Sequence, residues 1–447
     1  MDLSLDNFNI SSLKLNLQDS PIFKSLPTSL ELVNSDPDHK IFKFTTQLEE
    51  FKVDFKPGDS FGILVPQDEW CVNFVVSRLE EKDFDPHLYQ EFSKIFTEIS
   101  ENIKVVDILR YVLDLKALPS KKLLAALSEH CVDELEANEL KKHCKNHLNL
   151  VENGLRFIDV LWMFDSCRPS IACLMQNLPR YQPRYYSAIN NCEKSGGKLL
   201  EFIFTLITSE NMNIPKNTME KFPQTLGFCT GRIYRYFNDG KNLKESYLFI
   251  FKRKNLNKFQ FSTEPDNLVM IGAGTGLAPF LGFMAEKGRI LSERNASPKL
   301  HLIYGCRDYK NNLLFESQLK SYLEKNILST IQLCFSRTQS TIAEVDWLKG
   351  CHEQPDPLPH CAKHVQDCLI SNYEWILDKI SDPKTVIFIC GDILGLSKSV
   401  SEVLKGIIKN NLLKTNSKLS NEEADKMAKS EFLQMKKNKR YIEDLWL

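Results

Sequence analysis

The sequence predicts a multidomain α+β and α/β protein: an antiparallel β-barrel with an inserted helical domain, followed by a parallel-sheet domain. Three observations carry that expectation. Short alternating apolar runs bounded by turn residues occupy two separate stretches, 41–66 and 184–262. Helical periodicity fills the residues between them. After residue 267, apolar runs alternate with helical segments, the pattern of a parallel sheet with crossover helices.

Taken in order, residues 1–35 are polar and mixed and read as a leader or linker. Ile41–Thr45 and Phe51–Phe55 alternate as strands, Pro57-Gly58-Asp59 supplies a turn, and Ser60–Pro66 forms another strand. Residues 69–178 carry helical periodicity, for example at Val106, Ile108, Leu109, Tyr111 and Val112, then at Leu123, Leu124 and Leu127. Strand patterns return at Arg184–Ser187, at Leu199, Phe202 and Phe204, and at Tyr247–Phe251. The barrel is therefore expected at 36–68 and 179–263, the helical domain at 69–178 and the α/β domain at 264–447. In the last of these the apolar runs are Leu268–Ile271, Leu300–Tyr304, Ile331–Phe335 and Val386–Cys390. Helices are expected at 280–293, 312–326, 362–380 and 396–411. Parallel sheets hold ligands at the carboxyl ends of their strands. Gly272, Ser336 and Cys390 all lie at such ends, so one shared nucleotide cleft is expected.

Composition narrows the function. The 447 residues are 43% hydrophobic and 26% charged, ordinary for a globular protein. Lys and Arg number 57 against 58 Asp and Glu, a balance that points away from a nucleic-acid binder. The 13 cysteines show no repeated spacing, which fits reduced thiols rather than a disulfide framework. No apolar run approaches a membrane span and the N-terminus does not begin a secretory signal, so a cytoplasmic protein is expected.

The stretch 270–283 organises the chain. Gly272, Gly274 and Gly276 sit at a strand-to-helix turn, where glycine lets backbone approach a phosphate and the next helix turns its N–H groups toward the anion. With Thr275 and Pro279 the stretch reads Gly-x-Gly-Thr-Gly-x-Ala-Pro-Phe. That pattern resembles the nicotinamide-nucleotide pyrophosphate loop of the ferredoxin-NADP reductase superfamily, with Ala273 where the family usually carries proline.

Five further motifs follow the same resemblance in the family's order. Arg184-Tyr185-Tyr186-Ser187 resembles the Arg-x-Tyr-Ser flavin motif: an arginine for pyrophosphate, a ring for the isoalloxazine and a hydroxyl for flavin N5 or O4. Gly227-Phe228-Cys229-Thr230 resembles the Gly-rich turn that holds the FAD pyrophosphate, with Phe228 in place of a smaller residue and Cys229 read as packing. Ser336-Arg337 resembles the Phe-Ser-Arg clamp on the 2′-phosphate of NADPH, with Lys363, His364, Val365 and Gln366 as the group that follows it. Cys390-Gly391-Asp392 resembles the motif whose cysteine lies near nicotinamide C4, and Arg440–Leu447 the family's ending, whose tryptophan covers the flavin. The resemblance implies that Ser187, Cys390, Asp444 and Trp446 flank the hydride path and that Lys40 and Ser399 join the cofactor contacts.

The inserted helices and the tryptophan ending resemble the diflavin reductases, most of all the methionine synthase reductases, with the NADPH–cytochrome P450 reductases next. The implied cofactors are FAD and NADPH, with FMN on a missing domain or a separate flavodoxin-like partner, because residues 1–40 are too short for an FMN domain. Methionine synthase is the implied final acceptor. The departures at Ala273, Phe228 and 393–399 keep open a second reading, a catalytically weak flavoprotein scaffold. The long insertion at 340–361 contains Cys351-His352 and His360-Cys361. The adjacency of these residues argues against a zinc site, so no metal is expected.

Overall fold

The computed structural model describes residues 13–48, 53–80, 104–191, 198–208, 226–238, 247–291, 298–337, 345, 347 and 361–446. Six strands make an antiparallel sheet: β1 (Phe23–Leu32), β2 (Ile41–Leu48), β3 (Ser60–Leu64), β4 (Arg184–Ser187), β5 (Leu199–Thr205) and β6 (Leu248–Lys252), in the order β4-β3-β6-β1-β2-β5. This sheet corresponds to the expected barrel. β2 pairs with β5 from Ile41↔Thr205 to Gln47↔Leu199, and β1 pairs with β6 at Phe23↔Ile250. Two expectations fail here. Residues 1–35 are not all leader, because Phe23–Leu32 is a ten-residue strand whose buried Phe23, Ser25 and Pro27 alternate with more exposed neighbours. Val53–Phe55 is not strand; it is irregular backbone leading into the turn before β3, while Phe51 and Lys52 lie outside the described residues.

Between β3 and β4 the chain is helical: α1 (Glu69–Arg78), α2 (Val105–Tyr111), α3 (Lys121–Glu129), α4 (Glu134–Lys145), α5 (His147–Glu152), α6 (Phe157–Met163) and α7 (Ile171–Asn177). Two of these helices start on a serine cap. Ser120 Oγ accepts from the Leu123 N–H at 3.1 Å, and Ser170 Oγ accepts from the Cys173 N–H at 3.1 Å. Each such cap is worth about 1 kcal/mol. The apolar stripes of these helices bury Leu124, Leu127, Phe157 and Leu161 in one core. After β5 comes α8 (Phe228–Asn238).

The remaining chain builds a parallel sheet. Its strands are β7 (Asn267–Ala273), β8 (Lys299–Cys306), β9 (Thr330–Phe335), β10 (Cys361–Ala362), β11 (Thr385–Asp392) and β12 (Tyr441–Trp446), in the order β10-β9-β8-β7-β11-β12. The helices are α9 (Ala278–Leu291), α10 (Tyr309–Asn312), α11 (Glu316–Glu324), α12 (Val365–Ser371), α13 (Tyr373–Ser381), α14 (Lys398–Thr415) and α15 (Asn421–Lys437). β7 is buried along nearly its whole length, as a parallel strand covered on both faces must be. β8 and β9 extend the sheet on one side of β7, and β11 and β12 on the other. The strand order therefore reverses between β7 and β11, where an open α/β sheet parts its loops into a ligand crevice.

The chain divides into two compact units. One comprises residues 1–25, 62–185 and 207–251; the other comprises 26–61, 186–206 and 252–447. Among the described residues no helix is long and apolar enough to cross a membrane.

Candidate functional site

The switch point carries the densest chemistry. Gly272 on β7 lies in register with Cys390 on β11, and Cys390 lies in register with Asp444 on β12. The Cys390 side chain is fully buried, and that burial, with the Asp444 charge second, pushes its thiol well above the usual range. Ser187 Oγ donates to Asp444 Oδ2 at 2.9 Å, and Arg253 Nη1 stands 3.6 Å from Asp444 Oδ1. Burial raises the Asp444 carboxyl; the Ser187 hydrogen bond and the Arg253 charge oppose that rise. Ser187, Cys390 and Asp444, far apart in sequence, are thus brought together. Trp446 closes β12 opposite Asp392 and remains 40% exposed.

The glycine loop between β7 and α9 is a single 3₁₀ turn over Gly274–Leu277. Gly274 adopts φ +54°, the left-handed region that favours glycine. A Cβ on Gly276 would lie 2.2 Å from the Cys390 carbonyl oxygen, so the loop presses directly on the cysteine strand. The Tyr304 hydroxyl donates to the Gly274 carbonyl at 3.2 Å and holds the turn from below. Thr275 is partly buried within the turn, and Pro279 sits in the first turn of α9, where its missing N–H costs nothing.

Beside this loop opens a cavity of about 410 Å³, within the size range of small-ligand sites. Ser336, Lys363, His364, Val365, Gln366 and Ser399 line it together with Ala273 and Gly274. The predicted residues from four segments therefore meet on one surface. β10 pairs in parallel with β9 and delivers Lys363 and His364 to the start of α12, where the His364 N–H donates to Asp367 Oδ2 at 3.0 Å. Ser399 Oγ donates to the Gly395 carbonyl at 2.7 Å. The segment after Cys390-Gly391-Asp392, where the sequence departs from the family pattern, folds as a π-helical turn over Ile393–Ser397. The Asp392 carboxylate accepts from the Gly395 and Leu396 N–H groups and caps it.

Arg337 itself is exposed at the end of β9, and its N–H donates to the Arg307 carbonyl at 2.8 Å. Arg307 and His39 line the cavity and were missed in the sequence. His39 is pushed down first by burial, then by the Arg307 and Arg337 charges, so the cluster already holds surplus positive charge near the cavity. Asp36 answers part of it at 3.7 Å from Arg307 and accepts from Asn312 Nδ2 at 2.9 Å. The signal for Arg307 was its place just after Gly305-Cys306 at a strand end. His39 had no signal beyond its neighbour: Lys40, the expected contact, is exposed and is not among the lining residues, whereas His39 and Ile41 on either side are.

The predicted flavin residues occupy two places. Arg184 is exposed at the start of β4; its Nη1 donates to the Gln182 carbonyl at 2.8 Å, and its guanidinium lies 5.9 Å from the Tyr181 ring centroid. Tyr185 donates its hydroxyl to the Asn16 carbonyl, while Tyr186 stacks on Phe202 with centroids 4.7 Å apart. Gly227–Thr230 is not the expected free turn. Phe228 opens α8, so this motif is a helix N-terminus, which still presents N–H groups to an anion. The Phe228 ring meets Tyr181 edge-on at 5.5 Å, which makes it a packing residue. Cys229 is buried, as expected for packing, and Thr230 Oγ1 accepts from the Ile207 N–H at 3.4 Å.

The stretch matched by the FAD binding domain family model is 16–218, and the oxidoreductase NAD-binding domain model matches 270–402. The chain carries an FAD binding domain and an oxidoreductase NAD-binding domain. Methionine synthase reductase of Bos taurus is 26% identical to this chain over 98% of the chain and 63% of its own length. The Mus musculus protein of that name is 26% identical over 90% of the chain and 58% of its own. NADPH–cytochrome P450 reductase of Drosophila melanogaster is 27% identical over 76% and 45%. The chain thus spans about three fifths of the methionine synthase reductases it matches.

The residues present fit both cofactors. A glycine turn against Cys390, a cavity with surplus positive charge and a Ser-Arg strand end suit a phosphorylated nicotinamide nucleotide. A helix N-terminus at Phe228 and an exposed arginine at Arg184 suit a flavin diphosphate. Among the described residues no group of His, Cys, Asp and Glu is arranged to hold a metal; Cys351, His352 and His360 lie outside them.

Proposed function

We propose that this module draws hydride from NADPH and passes electrons to an FMN-bearing domain or protein, with methionine synthase as the final acceptor. The observation that carries the reading is the convergence of Ser187, Asp444 and Cys390 at the strand-order reversal, beside the glycine loop. Bound FAD supplies the hydride acceptor and the outlet for single electrons. The chain's own residues do the rest. Gly272, Gly274, Thr275 and Gly276 cradle the nucleotide pyrophosphate, and Ser336, Arg337, Lys363 and Gln366 select the 2′-phosphate. Arg184, Gly227 and Thr230 would hold the flavin pyrophosphate. Ser187 and Asp444 hold a polar, proton-competent wall beside the reacting ring edge, and buried Cys390 excludes water from it. Trp446, 40% exposed at the end of β12, would shield the flavin face that nicotinamide needs.

The methionine synthase reductases matched over nearly the whole chain support that acceptor. The cytochrome P450 reductase match supports an alternative acceptor. A cytoplasmic site of action follows from the same reading. Purified chain tested for FAD content and for ferricyanide reduction with NADPH decides the activity: a flavin-loaded protein that stays inert to NADPH supports the scaffold instead. Capture assays with methionine synthase and with microsomal cytochromes, each in the presence of an FMN protein, decide the acceptor.

A further inference from the structure

A pair of thiols in the helical region lies outside everything the electron-transfer reading uses. Cys131 follows α3 and Cys167 precedes α7, and the two form an isolated antiparallel bridge. The bridging hydrogen bonds flank them: the Val132 N–H donates to the Ser166 carbonyl at 3.2 Å and the Arg168 N–H to the His130 carbonyl at 2.8 Å. Cys131 and Cys167 are therefore a non-hydrogen-bonded pair. In that kind of pair the α-carbons approach to about 4.5 Å and the side chains lie closest. That spacing falls inside the range a disulfide spans. The sulfurs converge as well, since each Sγ donates to the same acceptor, the Leu127 carbonyl, at 3.5 Å. Cys167 is buried, whereas Cys131 is partly exposed.

We propose that Cys131 and Cys167 are a site of reversible disulfide formation, oxidised by a small-molecule disulfide of the glutathione type. Cys131, the accessible thiol, attacks one sulfur of the reagent as its thiolate, forms a mixed disulfide and releases one thiol. Cys167 then attacks the Cys131 sulfur and releases the second. Two protein thiols are oxidised, one reagent disulfide is reduced to two thiols, and the two protons lost from the cysteines are taken up by the leaving thiolates. The new bond closes the segment that carries α4, α5 and α6, tying the end of α3 to the entry of α7. Burial holds both thiols above the ordinary range, so exchange is slow near neutral pH and favours the reduced pair under reducing conditions. Cys173, buried on α7, is the competing partner for Cys167.

The test uses the full flavin-loaded chain, incubated with glutathione disulfide, quenched with an alkylating reagent and digested for mass spectrometry. The expected product is a linked peptide pair containing Cys131 and Cys167, reversed by dithiothreitol. The melting temperature is expected to rise by about 5 °C or more, because the bond constrains the unfolded chain. Cys131→Ser and Cys167→Ser each abolish the linkage and the shift, and Cys173→Ser preserves both. Glutathione retained on Cys131 without a linked pair, a Cys167–Cys173 linkage, or native protein alkylated at both positions after incubation would each overturn the assignment. These readouts are independent of NADPH oxidation, so they stand or fall separately from the proposed reaction.

Discussion

The Ser187 hydroxyl donates to the Asp444 carboxylate at 2.9 Å across 257 residues of sequence, joining the end of β4 to the C-terminal strand. Asp444 is held between opposing influences. Burial raises its carboxyl above the reference value of 3.8, while Ser187 and Arg253 pull it back. A carboxyl whose folded value is raised binds its proton more tightly in the folded state than in the unfolded one. Its ionisation therefore subtracts stability once the pH exceeds the folded value, and subtracts nothing below the unfolded value.

Asp444→Asn, which keeps an oxygen for Ser187, is accordingly expected to melt higher than wild type at neutral pH. The gain should shrink as the pH is lowered toward about 4, near the unfolded value of a carboxyl. Flavin reduction by NADPH should fall by roughly ten- to a hundredfold in the same variant. Arg253→Gln should move the pH dependence of flavin reduction upward, since it removes a charge that favours the carboxylate. Melting curves against pH, paired with rapid-mixing rates, read both effects.

Arg337→Ala should weaken the preference for NADPH. A hydrogen bond to a charged group contributes about 1.5–3 kcal/mol, so the NADPH KM is expected to rise about tenfold or more, with NADH little affected. Equal losses with both nucleotides would remove Arg337 from the 2′-phosphate contact and leave Arg307, which lines the cavity, as the better candidate.

The two loop glycines should separate strain from collision. At Gly276 an added Cβ meets the Cys390 carbonyl oxygen at 2.2 Å, a distance the backbone of β11 must yield to. Gly276→Ala is expected to destabilise by about 1–3 kcal/mol or more and to slow reduction by displacing Cys390. Gly274→Ala meets nothing within 4 Å and carries only the strain of its φ of +54°, about 1 kcal/mol. Thermal melts and NADPH affinities of the two variants check the ranking; equal damage would contradict it.

Removing Trp446 and Leu447 should raise activity with NADH, because a shielding ring no longer competes with nicotinamide for the flavin face. NADPH turnover should fall as NADP⁺ release slows. If the ratio of NADH to NADPH activity and the flavin absorbance spectrum both stay unchanged, Trp446 serves only as the end of β12, where it pairs with Asp392.

The sequence made the central strands legible because they are covered on both faces. β7 and β11 are near-continuous apolar runs, and glycine or Cys-Gly-Asp marks their ends. It concealed β12, since an edge strand carrying Glu443 and Asp444 lacks an apolar run and reads as a tail. It concealed β1 for a related reason: Pro27 and several polar residues interrupt Phe23–Leu32, and pairing with β6 and β2 outweighs that weak local preference. The start of α8 looked like a turn because Gly227 and Gly231 flank it, yet both are closely packed, with Thr230 and Leu226 respectively at under 3 Å from an added Cβ. Motif residues such as Ser336 and Gln366 were readable one segment at a time. His39 and Arg307 were not, because their value lies in the charge they share across segments.

The central claim, that this chain accepts hydride from NADPH, is tested most directly by mixing the FAD-loaded protein with NADPH under anaerobic conditions and following the flavin absorbance. The account predicts rapid bleaching of the oxidised flavin band in wild type, markedly slower bleaching in Ser187→Ala, and restored colour when ferricyanide is added. An oxidised spectrum that persists while NADPH is demonstrably bound would contradict it.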